Sequence, residues 1–543
     1  MNDKISTHIF MLPIKWDSKD KEKALEVFEK SLKSTKYNWI KKEYELCLEN
    51  EDSFWKINLI DLNNNCKVNE NQKIKQTVSE YNTMQYYYPE VQQIIFDQIG
   101  QNNSKEKRKV SNYELEFKKA KYCINTTNDN YELDLDKVKL AVYPMGVAIL
   151  TFIAVNTKYE TMDAILEINQ RGRRVKWPFV GIDADGNELD FHLSESKLVA
   201  NQLKINFEVP NLDNIDGKIH FNKEIDKRAS DKIYVLPISN MISELLGNNF
   251  KLKNKKVINY NASEIEYDLV IDDRMYVVSS CFSNKINNNC LNSNYWYKYV
   301  FVDEEGESDL NEEFMQNLIK KHTYSRWKAH RFGISNYSFV CSGNENGFNE
   351  NVVDNHITGM YYEMSVIHLM QKASLQKFSE ELARCTNLKE FLEIQEKYLY
   401  FLDNYCFEDL TAQEQGLELF NMIKDITQIQ SKIDSLNSKI NQTSEFYQNK
   451  KNQDVSNKIN FLTGIATVIG VLSYYESIRT SYFEFDMNGI PIFMGKMIKK
   501  TQSEIGGYIS NIINLKTIFD IVVLGIIIFG ISKFMQRLFL NKK

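Results

Sequence analysis

The chain has 543 residues, 43% of them hydrophobic and 26% charged, with a formal net charge of −6. That length suits two or three domains, and that composition is ordinary folded protein. The acidic balance argues against a broad nucleic-acid-gripping surface, so no direct nucleic-acid partner is expected, although a local basic pocket stays open.

All eight cysteines, from Cys47 to Cys406, precede the first long apolar run, and none forms a C-x-x-C pair. The start, MNDKISTHIF, carries charge and no long apolar core. Together these features suggest a reducing cytoplasm around a large N-terminal part.

Residues 1–355 read as a cytosolic α/β sensor domain. His8–Trp16 predicts a strand that meets a proline, and Lys21–Ser34 has helical spacing through Ala24, Phe28 and Leu32. Gln101–Arg108 reads as a solvated loop. Tyr131–Leu140 alternates as a half-buried strand should, and Gly146–Asn156 is nearly continuous apolar, as a strand buried on both faces is. Thr161–Asn169 predicts a short helix.

A dense basic cluster follows: Arg171, Arg173, Arg174, Lys176 and Trp177. Guanidinium forks match phosphate oxygens, and an indole offers a stacking face, so the cluster can bind an anion carrying a flat ring. A solvated hairpin or a salt-bridged surface is the plainer alternative. A second basic-aromatic run spans Lys320–Arg331 and includes Arg326 and Trp327; it either completes the same pocket or is the solvated face of a helix end. The histidines show no metal-ligand spacing, so no resident metal is expected. His368 sits in an apolar helical pattern and reads as a core histidine. No nucleophile elbow, Walker loop, dinucleotide fingerprint or kinase set is present, which favours a channel or sensor over an enzyme and leaves the catalytic residues as none.

From His356 the pattern is helical: a connector over 356–410, then a stalk over 411–458. Leu419, Met422, Ile426, Ile429, Ile433, Leu436 and Ile440 follow at gaps of three and four, a heptad seam that pairs a helix with neighbours. No proline or glycine lies between Gly416 and Gly464, so one unbroken helix from Thr411 to Tyr475, roughly 100 Å long, is expected.

The run Ile459–Tyr475 is apolar and predicts a first membrane span over 459–480; Thr517–Phe534 predicts a second over 515–535, with a buried core helix as the alternative. Lys450, Lys451 and Lys458 precede the first run, and Lys533, Arg537, Lys542 and Lys543 follow the second. Basic flanks of this kind place both ends on the cytoplasmic side of a cell inner membrane, with an extracytoplasmic loop at 481–514 and a basic tail at 536–543. The expected fold class is therefore an α+β cytosolic domain, a long stalk helix and a two-helix transmembrane hairpin. Within the first span, Asn460, Thr463, Thr467, Gly470 and Ser473 form a polar-to-small stripe. In an assembly around an axis such a stripe can line a pore; in a helix–helix interface it conducts nothing.

This order of parts resembles the CorA family of divalent-cation channels and transporters. The resemblance implies a homopentamer in a lipid bilayer, with the stalk helices merging into the pore and Mg2+ as a possible permeant ion. The family's Gly-Met-Asn signature is not intact: Asp486-Met487-Asn488 stands in its place, and the segment between the spans is far longer than the family's loop. Both departures put magnesium selectivity in doubt, though a carboxylate ring at Asp486, Glu476 or Glu484 would still favour cations. The N-terminal strand with its Pro-x-x-Trp turn and the run from GVAILTFIAVN to INQRGRRVKWPF is similar to the CorA-like effectors associated with type III CRISPR systems. That likeness implies an antiviral channel opened by a nucleotide second messenger, S-adenosylmethionine joined to AMP (SAM-AMP). Its phosphate would meet Arg173 and Arg174, and its adenine Trp177. Two other functions fit the same residues: a divalent-cation transporter regulated by its own ion, and a membrane-anchored nucleotide-degrading enzyme.

Overall fold

The computed structural model describes residues 4–18, 24–42, 78–96, 109–126, 128–175, 200–209, 212–218, 240–247, 250–252, 265–270, 274–282, 293–304 and 311–483, with four isolated positions, Val522, Gly525, Phe529 and Lys533. The chain divides into two units, residues 1–438 and 439–543.

The first unit is α+β. Its strands are β1 (Ser6–Ser18), β2 (Trp39–Lys42), β3 (Ser111–Leu115), β4 (Ala120–Asn125), β5 (Asn130–Tyr143), β6 (Val147–Asn156), β7 (Gln202–Phe207), β8 (Ile215–Lys218), β9 (Phe250–Leu252), β10 (Ile265–Leu269), β11 (Tyr276–Cys281), β12 (Thr323–Tyr324), β13 (His330–Ile334) and β14 (Ser338–Gly343). The described helices are α1 (Ala24–Lys33), α2 (Val78–Met84), α3 (Pro89–Ile95), α4 (Met162–Gly172), α5 (Asn240–Leu246), α6 (Ser293–Phe301), α7 (Glu312–His322), α8 (Asp354–Thr358), α9 (Met360–Arg384), α10 (Leu388–Tyr405), α11 (Glu414–Thr427) and α12 (Ile429–Phe483).

One sheet runs in the order β12-β13-β14-β11-β1-β6-β5-β4-β7-β8, with β10 and β9 branching from β1, and β3 and β2 from β5. The expected strands at His8, Tyr131 and Gly146 are β1, β5 and β6, which lie side by side at its centre. All ten residues of β6 except Val155 are buried, as its unbroken apolar run requires. The alternation of β5 is interrupted by a bulge between Leu135 and Lys137.

Pro13 lies inside β1, a position that normally costs a ladder hydrogen bond. The register explains its tolerance. On one edge β1 pairs with β11 as far as Met11↔Tyr276, and with β10 from Ile14↔Leu269 onward. Pro13 sits at the changeover, and its carbonyl accepts from Val270 N at 3.3 Å on that same edge. The missing N–H therefore faces the gap between two partners. The β5–β6 turn closes at Gly146, whose φ of +83° and contact distance of 2.5 Å from an added Cβ to the Trp16 carbonyl leave no alternative to glycine.

The helix expected at Lys21–Ser34 is α1, buried at Phe28 and Leu32. Thr161 caps α4 by accepting from Ala164 N at 3.2 Å. The loop expected at Gln101–Arg108 lies outside the described residues. A five-residue π-helix, Asn349–Val353, leads through α8 into α9. It sets the Asn349 amide to donate to the carbonyls of Ala329 (3.1 Å) and Asn344 (2.7 Å). The buried Asp354 carboxylate then accepts from Ser280 Oγ at 2.6 Å and pairs with Lys4.

The long helix is not continuous, contrary to the sequence-based expectation. It is broken at Gln428, which adopts the left-handed conformation, φ 54° and ψ 40°, and separates α11 from the 55-residue α12. The break needs no glycine or proline: Gln428 N–H bonds the Asp425 carbonyl at 3.3 Å, and Lys432 Nζ donates to the last α11 carbonyl, Thr427, at 2.9 Å. The heptad seam serves the chain's own packing on both sides of this elbow. Leu419 and Ile429 are buried, and Tyr398 of α10 donates to Asn437 Oδ1 at 2.8 Å. The second expected span and the outer-mouth residues Asp486, Met487 and Asn488 lie outside the described residues, except for the four isolated positions, so the structure describes one candidate span and no hairpin.

A left-handed non-glycine residue costs about 1–2 kcal/mol. Gln428→Gly is expected to raise the denaturation midpoint, and Gln428→Val to lower stability by about 1–2 kcal/mol. Chemical denaturation followed by near-ultraviolet circular dichroism checks both directions.

Candidate functional site

The basic cluster expected at Arg171–Trp177 begins in the last turn of α4. That turn is pressed onto the sheet: an added Cβ on Gly172 would lie 2.7 Å from Phe10 Cζ, and Tyr122 donates to the Gly172 carbonyl at 2.8 Å. The close approach carries the arginines inward. Arg171, Arg173 and Arg174 are 7%, 2% and 5% exposed, so they are not a solvated hairpin. Lys176 and Trp177 lie outside the described residues.

Arg171 pairs with Glu167 at 3.0 Å, one turn back on α4, and with Glu304 at 3.7 Å. Arg173 Nη2 donates to Gln170 Oε1 at 3.0 Å and to the Val302 carbonyl at 2.7 Å. Val302 follows α6 with φ of +50°, a strained conformation for a β-branched residue. The backbone of the cluster is stitched to the start of β11: Met275 N–H donates to the Arg173 carbonyl at 2.7 Å, and Arg174 forms an isolated bridge with Arg274. The guanidiniums of Arg173 and Arg274 lie 5.6 and 4.8 Å from the Tyr337 ring centroid.

The assembled group therefore brings together four arginines, Arg171, Arg173, Arg174 and Arg274, with Glu167 and Glu304 paired to the first of them. Sequence reasoning missed Arg274 and Tyr337, which are remote in the chain and stand in no local pattern. The arrangement is chemically suited to an anion with a planar group. It also shows that Arg173 is a structural tie.

Arg326 and Trp327 do not join this group. They lie between β12 and β13, whereas Tyr337 lies in the β13–β14 turn. The five residues of β13 separate the two by roughly 15 Å. The loop grips α11 instead. Arg326 pairs with Glu414 at 2.8 Å and Glu418 at 3.1 Å, Trp327 Nε1 donates to Gln415 Oε1 at 2.7 Å, and Tyr324 donates to Glu418. Trp327 is still 51% exposed.

A second polar network joins β2, β3, β5, α2 and α9. Lys42 pairs with Glu80 and, at 3.2 Å, with Glu114. Burial works against its charge, but the two carboxylates outweigh burial and hold the ammonium above its usual range. Lys139 lies 3.9 Å from Glu363 and 4.8 Å from the Tyr362 ring centroid. Burial pushes Glu363 up to about 7 against the pull of Lys139, and it lowers Lys139. The cleft beside them is about 20 Å³, room for one water rather than for a substrate.

Ser6 Oγ, His8 and Asn169 are linked in series at 2.9 and 2.7 Å, a connectivity like that of a hydrolase triad. All three are buried, and burial lowers His8 to about 4. This chain is a core network with no open face.

In the second unit, α12 contains a stretch long and apolar enough to cross a membrane, and none of it is buried. Asn460, Thr463, Thr467, Gly470 and Ser473 are all exposed, as are Ile459, Leu462, Ile469 and Leu472. Thr467 Oγ1 donates to the Thr463 carbonyl one turn back at 2.8 Å. Asn460 lies one turn before Thr463 on the same helix. Set against protein-family models, curated proteins and solved structures, the chain matches none.

Arg173→Ala would orphan the Val302 carbonyl and is expected to cost about 2–3 kcal/mol, read as a lower denaturation midpoint. Arg326→Ala, at a solvated pair, should barely move it. Glu363 holds a proton in the folded state that the unfolded chain releases above its ordinary value of 4.5. Its stabilising share is thus present below about pH 4.5 and lost as pH rises through about 7. His8 works in the opposite sense, gaining stability as pH rises from about 4 towards 6.5. The comparison with Glu363→Gln isolates the first effect: the stability of the native chain relative to that variant should fall between pH 4.5 and 7.

Proposed function

We propose that the chain is a ligand-gated membrane ion channel of CorA type, acting as an antiviral effector opened by SAM-AMP made by a type III CRISPR complex. One observation carries the membrane part of this reading: the apolar stretch of α12 around Ile459–Tyr474, none of which is buried. Such a surface is stable in lipid or against other copies of itself, and not in water. The stripe of Asn460, Thr463, Thr467, Gly470 and Ser473 gives that helix one face suited to line an aqueous path in a homo-oligomer, with a pentamer as the arrangement that the family resemblance implies. Cations are the ions that the resemblance favours.

The ligand part rests on the group of Arg171, Arg173, Arg174 and Arg274 around Tyr337. Guanidinium forks match the oxygens of a phosphate, and the end of α4 presents three of them on a turn anchored to the sheet, beside Arg274 at the start of β11. Coupling requires that the ligand prefer one of two arrangements of the helices that lead to α12. The Gln428 elbow and the Arg326–Glu414 grip lie on that route and are where this reading puts the change. The name of the ligand and the antiviral role come from the resemblance to the CRISPR-associated effectors.

Reconstitution into liposomes tests the proposal. Addition of SAM-AMP on the cytosolic face is expected to release a trapped cation indicator. Flux without nucleotide that magnesium alone regulates would replace it by the transporter, and consumption of the nucleotide would replace it by the enzyme. Thr467→Phe should abolish flux while ligand binding persists; undiminished flux would remove Thr467 from the pore.

A further inference from the structure

His368 is the most anomalous side chain in the first unit. It is 1% exposed, and neither Nδ1 nor Nε2 finds a hydrogen-bond partner among the described residues. An imidazole carries at least one N–H and one lone pair or, when protonated, two N–H groups; leaving both nitrogens bare in a protein interior costs several kcal/mol. Its ring lies 6.2 Å from that of Tyr276, whose hydroxyl is also buried and without a partner among the described residues.

Two lysines stand near this ring. Lys372 is one turn further along α9, at i+4, so it shares the helix face of His368. Lys432 comes from the first turn of α12, where backbone N–H groups at the helix start add to the positive potential. Lys372 makes no ion pair or hydrogen bond among the described residues. Lys432 uses one of its three donors on the Thr427 carbonyl. The charges acting on His368 are Lys372 and Lys432, and the charge acting on Lys372 is Lys432. Burial, followed by these like charges, lowers His368 well below its ordinary value and brings Lys372 to about 8. Lys432 is mostly solvated, so its own lowering carries little weight.

Two lysines, one from α9 and one from α12, thus act on a buried, unsatisfied imidazole, with no carboxylate among the described residues acting on it. We infer that His368, Lys372, Lys432 and the Tyr276 hydroxyl form an anion site for a phosphate group, at the junction of α9 with the start of α12. Lys372 and Lys432 form its open side, and His368 is its floor, taking up a proton when the anion arrives. A dianionic oxyanion matches this set better than a carboxylate, because two ammonium groups and an imidazolium offer up to three positive charges and several donors. The site's residues differ from those of the Arg173 group, although Tyr276 follows Met275, which bonds the Arg173 carbonyl. The site lies at the Gln428 elbow, so an anion that draws on Lys432 competes with the Thr427 carbonyl that Lys432 caps. The inference does not depend on conduction or on the Arg173 site.

The full-length protein in detergent, in buffer free of phosphate, is titrated with inorganic phosphate and, separately, with AMP. The readouts are calorimetry and the imidazole resonances of the seven histidines, with His368 assigned by His368→Asn. Millimolar phosphate is expected to bind and to raise the His368 titration midpoint by one unit or more. Lys372→Gln, at a half-buried position, and Lys432→Gln, at an exposed one, should each weaken binding about tenfold or more. Tighter binding of AMP than of phosphate would show that a nucleotide phosphate is the natural occupant, and equal binding that free phosphate is. The inference is overturned if neither probe moves the His368 resonance in the folded protein, or if Lys372→Gln binds as well as the native chain. Because no ion flux is measured, failure here and failure of the channel reading are told apart.

Discussion

The sheet depends on two long strands that each change partners part-way along one edge. β1 pairs with β6 over residues 6–15, while its other edge passes from β11 to β10 around Pro13. β5 pairs with β6 from Asp134 to Tyr143, with a bulge at Leu135/Lys137 in that ladder, and its other edge passes from β4 to β3. The proline in β1 removes the backbone N–H that would be left over at its changeover. The helical layer is fastened to the same strand. Lys15 pairs with Glu380 of α9 at 2.7 Å, and Lys377 of α9 donates to the Trp16 carbonyl and to Asp17, each at 2.7 Å. Whatever displaces α9 must therefore load β1, and with it the sheet.

The strands at the centre were legible because burial on both faces imposes an apolar run, and Gly146–Asn156 has one. The helix expected at Thr161–Asn169 was legible too, although Thr161 proves to be its cap and not its first residue. The Gln428 elbow was not: the absence of glycine and proline predicts continuity, and the heptad seam crosses the break without a change of period. The elbow is held by the Lys432–Thr427 contact and the burial of Ile429, which no local pattern reveals. The arginines were legible as a group, yet their burial was not, because it follows from the close approach of Gly172 to Phe10 and from Arg274 and Tyr337. Arg326 and Trp327 looked like a continuation of that pocket by composition alone, whereas the topology puts the length of β13 between them.

The seam read as a contact between neighbouring copies is in large part a contact of the chain with itself. Leu419 and Ile429 are covered in the first unit, so their apolar character says nothing of assembly. The case for partners rests on Phe446, Val455 and the residues from Ile459 onward, which are exposed. The sequence pattern runs through both stretches without a mark between them, and only burial separates packing within the chain from surface left for other molecules.

The stripe on α12 also changes in weight. A hydroxyl that bonds the carbonyl one turn back satisfies its own donor, so Thr467 tolerates lipid as well as water. Gly470 has no side-chain polar group to satisfy. The argument for water or a polar neighbour at this face therefore falls on Asn460, Thr463 and Ser473, whose side chains make no hydrogen bond among the described residues. Of these Asn460 weighs most: an amide has two donors and a carbonyl oxygen, more than its own helix can satisfy. It also stands two residues after Lys458, at the end of the apolar run that the basic residues flank. A ring of such amides would form a polar mouth, with the self-satisfied Thr467 hydroxyl two turns further along the helix.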